Sequence, residues 1–167
     1  MAVSERPRVP PTVDLSAGGL RVVVLASRWN GAVVERLLVG ARKALLELGA
    51  GEDDIEVHFV PGAFELPAAA AAAAARADVD AIVVLGCIVR GETVHFDLIA
   101  HAATAGIEAV ARTSGKAIGF GVLAVDDEAQ AIARTEPGPA HAGGNAARAA
   151  IEMHHVLAAL RSGEGTR

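Results

Sequence analysis

Four short apolar runs rich in β-branched residues, each followed by a longer segment of helical periodicity, constrain this 167-residue chain more than any other feature. Residues 21–26, 55–60, 79–86 and 117–123 read as strands buried on both faces, the pattern of parallel strands covered by helices. After the first run, Val34, Leu37, Leu38, Ala41, Leu45 and Leu48 keep one helical face, and Gly49 and Gly51 end it. Residues 64–77 form an alanine-rich helix, and Phe96, Ile99, Ala103, Ile107 and Val110 recur at helical spacing within 95–113. Residues 126–134 predict a short helix that Asp126 can cap. Residues 145–160 predict a last one, with Ala146, Ala150, Met153, Leu157 and Leu160 along one face.

Right-handed crossovers between such strands give an α/β chain of the flavodoxin-like kind, a three-layer α/β/α sandwich with a four-stranded parallel sheet. All four loops that follow the strands then share one edge, where open α/β sheets bind ligands and helix N-termini hold anions. Ser27, Arg28, Trp29 and Asn30 follow the first strand, and residues 61–65, Pro-Gly-Ala-Phe-Glu, follow the second. The third loop is the richest, because residues 86–97 read Gly-Cys-Ile-Val-Arg-Gly-Glu-Thr-Val-His-Phe-Asp.

Each cluster has a plain reading beside a functional one. Trp29 is a packing anchor or a platform for a flat ring. Glu65 is a dipole-favoured first-turn acid or an acceptor for a polyhydroxy chain. Arg90, Glu92 and Thr93 are a solvated loop, or, with Gly91 allowing close backbone approach, a phosphate cradle. His95 at a helix start is the least easily structural, because the positive end of the dipole disfavours its imidazolium and leaves a neutral base suited to proton transfer. Cys87 reads as a small buried residue. The remaining histidines lack ligand spacing, so no metal is expected.

Composition narrows the class. The apolar content of 52% argues for one folded domain, and a net charge of −5 without basic blocks offers no footprint for nucleic acid or anionic membrane. One cysteine excludes an internal disulfide framework, and no N-terminal segment reads as a signal peptide or membrane span, so a cytoplasmic compartment is expected. Residues 1–17, with Pro7, Pro10 and Pro11, are expected to be a loose arm in which 12–15 can add a strand to a neighbour. The domain is expected at 18–162, with a tail at 163–167. No dinucleotide or Walker-type glycine pattern follows any strand.

Taken together, Trp29-Asn30, Pro61-Gly-Ala-Phe-Glu-Leu-Pro67, Gly86-x3-Arg-Gly-x-Thr-x-His-Phe-Asp97, Phe120-Gly-Val-Leu123 and Glu128-Ala-Gln-Ala-Ile-x-Arg134 resemble the lumazine synthase family across residues 18–160. The resemblance implies an enzyme of riboflavin biosynthesis, a transferase without cofactor or metal. It would condense 5-amino-6-(D-ribitylamino)uracil with 3,4-dihydroxy-2-butanone 4-phosphate to 6,7-dimethyl-8-ribityllumazine, phosphate and water. It also implies that Trp29 covers the pyrimidine, where phenylalanine is frequent in the family. Asn30 and Glu65 would meet the ribityl chain, with Ala63 and Phe64 along the same pocket. Cys87, Ile88 and Val89 would line the ring with backbone, Gly91, Glu92 and Thr93 would hold the phosphate, and His95 would shuttle protons. Phe120 and Arg134 match positions that the family contributes from an adjacent subunit, so a homopentamer at the least is implied. Whether such rings join into a sixty-subunit icosahedral shell stays open, because Pro7, Pro10 and Pro11 limit strand pairing by the arm and Pro137-Gly-Pro139 alters the loop that joins rings in shell-forming relatives.

The chain departs from the family pattern at two places. Leu123-Ala-Val125 stands for Leu-Thr-Thr, and His141-Ala-Gly143 stands for Asn-Lys-Gly, with no lysine after Lys116. Three readings remain open: Arg134 suffices alone, His141 substitutes in part, or the chain binds and turns over poorly. A non-catalytic lumazine- or flavin-binding carrier of the same fold is the alternative function. A flavodoxin-type electron carrier is weaker, since residues 27–31 lack a hydroxyl-rich phosphate loop.

Overall fold

The computed structural model describes residues 15–163, and the expectations for residues 1–14 and 164–167 lie outside them. Its sheet consists of β1 (Val22–Ser27), β2 (Ile55–Val60), β3 (Ala81–Val89) and β4 (Ala117–Val125), all parallel, in the spatial order β2-β1-β3-β4. The helices are α1 (Gly31–Glu47), α2 (Leu66–Ala74), α3 (His95–Ser114), α4 (Glu128–Ala133) and α5 (Ala142–Ser162). The predicted doubly covered parallel sheet is therefore present. Strand order reverses between β1 and β3, which opens a crevice at their carboxyl ends.

All six residues of β1 are buried because alternate side chains feed two separate cores. Val22, Val24 and Ala26 pack with Leu37, Ala41 and Leu45 of α1 and Ala147 and Ile151 of α5. Val23 and Leu25 pack with Leu66 and Ala70 of α2 and Ala103 and Ile107 of α3. Each fully buried leucine or isoleucine here contributes roughly 1.5–3 kcal/mol of transfer free energy. Two glycines set how closely the first layer packs. A Cβ on Gly143 would collide with the Leu37 carbonyl, and one on Gly119 with the Ala146 carbonyl, so α5 lies directly on α1 and β4.

Several element boundaries differ from the sequence expectation, and four of the differences have a cause in the tertiary structure or in a cap. β3 runs to Val89 rather than ending at Gly86, because β4 pairs with it through Val89↔Val125. Cys87, Ile88 and Val89 are thus strand residues. α2 stops at Ala74, short of residue 77, since Arg76 turns away to donate to Asp78 and to Glu56 of β2, which outweighs the helix preference of alanine. The cap of α4 is Asp127, whose Oδ1 accepts from Gln130 N–H at 2.8 Å, whereas Asp126 is paired with Arg90. α5 begins at Ala142 rather than residue 145, with the ring of His141 as its cap.

Candidate active site

The loops after β1, β2 and β3 enclose a cavity of about 530 Å³ lined by Trp29, Asn30, Gly62, Ala63, Phe64, Glu65, Cys87, Ile88, Val89, His95 and Ile99. The first loop is set by Asn30, the one described non-glycine residue in the left-handed region, at φ 55° and ψ 43°. Asparagine tolerates that region best among side chains with a Cβ, and its amide here donates to the Cys87 carbonyl at 2.7 Å. Trp29 is 73% exposed over the cavity mouth, so its ring presents a bare face. Backbone bonds from Arg28 N to Val60 O and from Trp29 N to Pro61 O join this loop to the second.

The second loop is shaped by Gly62 and Glu65. Glu65 Oε2 accepts from Gly62 N–H at 2.9 Å, holding the 3-10 turn Ala63–Glu65, and Phe64 projects outward with 59% exposure. A Cβ on Gly62 would come within 3.1 Å of Trp29 Cδ1 and 3.2 Å of Glu65 Oε2. Glycine therefore leaves room between indole and carboxylate.

The third loop brings strand backbone and a histidine to the cavity. Cys87 is 2% exposed; burial, with Glu128 nearby, pushes its thiol up to about 11, so it presents its carbonyl and not a thiolate. His95 is the first residue of α3, and its N–H donates to Thr93 Oγ1 at 3.3 Å.

Of the residues singled out in the sequence, Trp29, Asn30, Ala63, Phe64, Glu65, Cys87, Ile88, Val89 and His95 meet around this one cavity. Gly91, Glu92 and Thr93 form an exposed arch just beyond it. Phe120 lies on edge strand β4, level with Val84 and 44% exposed, and does not line the cavity of its own chain. Arg134 ends α4 and donates from Nη1 to the Gln130 carbonyl at 2.8 Å; it too lies outside that cavity. Sequence reasoning missed two lining residues. Gly62 is signalled only by the Pro61-Gly62 pair, which marks a turn, and Ile99 only by its place on the apolar face of the helix.

His141 stands elsewhere. It lines a larger cavity of about 680 Å³ between α1 and α5, its ring fills the space left by Gly40, and Nδ1 accepts from Gly144 N–H at 3.3 Å. A ring committed to a helix cap is a poor phosphate cation. The smaller cavity, and not the larger, is bordered by the loops that follow β1, β2 and β3 at the carboxyl edge of the sheet.

Residues 19–158 match the family model described as 6,7-dimethyl-8-ribityllumazine synthase. The chain belongs to this family. It is 53% identical over 124 residues to the 6,7-dimethyl-8-ribityllumazine synthase of Kineococcus radiotolerans, which covers 74% of this chain and 75% of the relative. It is 40% identical over 147 residues to the enzyme of the same name from Aquifex aeolicus, covering 88% of this chain and 96% of the relative. Membership of the lumazine synthase family agrees with the four-stranded parallel sheet and with a cavity at its carboxyl edge.

Proposed function

We propose that this cavity condenses 5-amino-6-(D-ribitylamino)uracil with 3,4-dihydroxy-2-butanone 4-phosphate, giving 6,7-dimethyl-8-ribityllumazine, inorganic phosphate and water. The observation that carries the reading is the convergence of an exposed indole, Trp29, an amide, Asn30, a carboxylate, Glu65, and a histidine, His95, on one cavity. The indole stacks on the pyrimidine, and Asn30 and Glu65 meet the ribityl hydroxyls. Backbone of Cys87, Ile88 and Val89 borders the ring, with Ala63 and Phe64 alongside. Gly91, Glu92 and Thr93 receive the phosphate at the start of α3, where backbone N–H groups and the helix dipole favour an anion.

The pyrimidine amine attacks the ketone, and loss of water leaves an imine that becomes an enamine. Phosphate departs from the enamine, and the ring closes with loss of a second water. His95 takes and returns the protons, and holding both reactants side by side supplies much of the acceleration. A non-catalytic carrier would need the Trp29 platform but no base, so His95 at the cavity favours the enzyme.

Phe120 and Arg134 act from a neighbouring subunit, completing a site that one chain leaves open. The exposed apolar side chains Phe59, Phe64, Val94, Leu98 and Phe120 support a homo-oligomer, a pentamer at the least. No described helix is long and apolar enough to cross a membrane, and small-molecule substrates with no cofactor suit a cytoplasmic enzyme. Mixing the protein with both substrates tests the reaction: lumazine absorbance rising with released phosphate supports it, and the absence of both rejects it.

A further inference from the structure

Arg90, which the sequence sets beside Glu92 and Thr93 in a solvated loop or a phosphate cradle, has all three guanidinium nitrogens hydrogen-bonded within the chain. Nε donates to Asp126 Oδ1 at 3.0 Å, while Nη1 and Nη2 donate to Asp97 Oδ2 and Oδ1 at 3.3 Å each. Cζ lies 4.1 Å from the centre of the Phe96 ring. Its backbone N–H donates to the Val125 carbonyl at 2.9 Å, carrying the β3–β4 pairing one step beyond the strand. A planar fork met by one carboxylate at its tip, by another at its edge and by an aromatic ring on its face is biased toward one orientation even with 44% of the side chain exposed. Such a group is not free to bind phosphate itself.

What Arg90 joins is more telling than what it binds. Asp126 ends the β4 side, one residue before the Asp127 cap of α4, and Asp97 lies in the first turn of α3, two residues past His95. Between them residues 91–94 form an exposed arch without regular structure, and a Cβ on Gly91 would meet nothing within 4 Å. An arch with so few contacts of its own takes its shape from its two feet, and Arg90 ties down both. The same guanidinium neutralises two carboxylates that flank the place where a dianionic phosphate would sit.

We propose that Arg90 is a positioning residue for the phosphate of the butanone substrate, fixing the arch 91–94 and cancelling the charge of Asp97 and Asp126 beside it. The inference rests on the reading of residues 91–93 as phosphate-binding. It predicts a specific split: without Arg90 the phosphorylated substrate suffers and the pyrimidine does not, because Trp29, Asn30 and Glu65 have no contact with this clip.

The test uses the assembled enzyme and the variants Arg90→Gln, Arg90→Lys and Arg90→Gln with Asp97→Asn. In Arg90→Gln the KM for the butanone phosphate rises about tenfold or more while that for the pyrimidine stays within about twofold. Inorganic phosphate, used as a competitive inhibitor, weakens in parallel. Pyrimidine affinity, read on the fluorescence of Trp29, the sole tryptophan, stays unchanged. Added salt lowers the raised KM by screening the exposed carboxylates, and the Asp97→Asn partner recovers roughly threefold of it by removing one charge. Arg90→Lys restores part of the effect and carries the test if the glutamine variant fails to assemble. Equal rises for both substrates, or no rise for the butanone phosphate, overturn the proposal. If the unaltered protein forms no lumazine, the functional reading itself falls; if it does and Arg90→Gln is silent, only the role of Arg90 falls.

Discussion

The amide of Asn30 donates to the carbonyl of Cys87 at 2.7 Å, fastening the loop after β1 to the last part of β3 across the switch point of the sheet. The bond is made possible by the left-handed backbone of Asn30, a conformation that costs other non-glycine residues about 1–2 kcal/mol. Asn30→Ala is therefore expected to lose the bond and gain the strain, lowering unfolding free energy by roughly 1–3 kcal/mol. Asn30→Gly should lose the bond alone and unfold between the two. Chemical denaturation of both variants checks this, and an alanine variant as stable as the parent would refute the strain argument.

His95→Ala is expected to lower turnover by about one to two orders of magnitude while pyrimidine binding survives, as usual for a general acid–base group. Single-turnover rates with Trp29 fluorescence as the binding readout separate the two effects. Undiminished turnover would remove His95 from proton transfer.

Arg134→Ala is expected to act mainly on the KM for the butanone phosphate, and Arg134→Lys to restore it only in part, because a lysine lacks the planar fork that meets phosphate in two places. Steady-state kinetics with each substrate varied in turn provide the check. An equal effect on the pyrimidine would contradict the assignment.

His141 predicts an acid-labile feature remote from the cavity of reaction. Burial, with Arg36 and Arg148 adding repulsion, holds its imidazole below the ordinary value of 6.5 despite a hydrogen bond to the Arg36 backbone. A depressed folded-state value means that the folded protein binds this proton more weakly than the unfolded chain. The stabilisation is complete above about pH 6.5 and is lost as the pH falls through that value toward the folded one. Protonation also removes the lone pair that accepts from Gly144 N–H. The melting temperature should fall between about pH 7 and pH 5, and His141→Asn, which keeps a cap acceptor, should flatten the fall. An unchanged slope in the variant would exclude His141 as its source.

Assembly is expected to be a condition of activity, because Phe120 and Arg134 lie outside the cavity of their own chain. Light scattering in dilute neutral buffer should give the mass of five chains or of sixty. A mass near one chain in an active sample would overturn the shared-site argument.

Much of this was legible in the residues before any fold was in hand. Alternation of apolar strands with helical faces marks a covered parallel sheet, since only such a sheet buries runs like residues 81–85 on both sides. Turn residues and chemistry at the strand ends mark the edge on which a site can form, although Trp29 and Glu65 each read as readily as a packing anchor and a first-turn acid, and only their joint order with residues 86–97 resembles a known site. These signals are local in the chain, and period and turn chemistry are local properties.

What required the tertiary structure is whatever depends on distant groups meeting. Alanine predicts a longer α2, yet Arg76 ends it by reaching Asp78 and Glu56 of another strand. Asp126 looks like a helix cap and is drawn instead to Arg90, while Asp127 takes that place. Gly62 reads as a turn until the indole of Trp29 and the carboxylate of Glu65 are found where its side chain would stand. His141 stands in the sequence where the family pattern has an asparagine, and only the fold shows its ring filling the space above Gly40 and capping α5. In each case a side chain has two physically adequate uses, and proximity across the sheet, which no local pattern encodes, decides which one it serves.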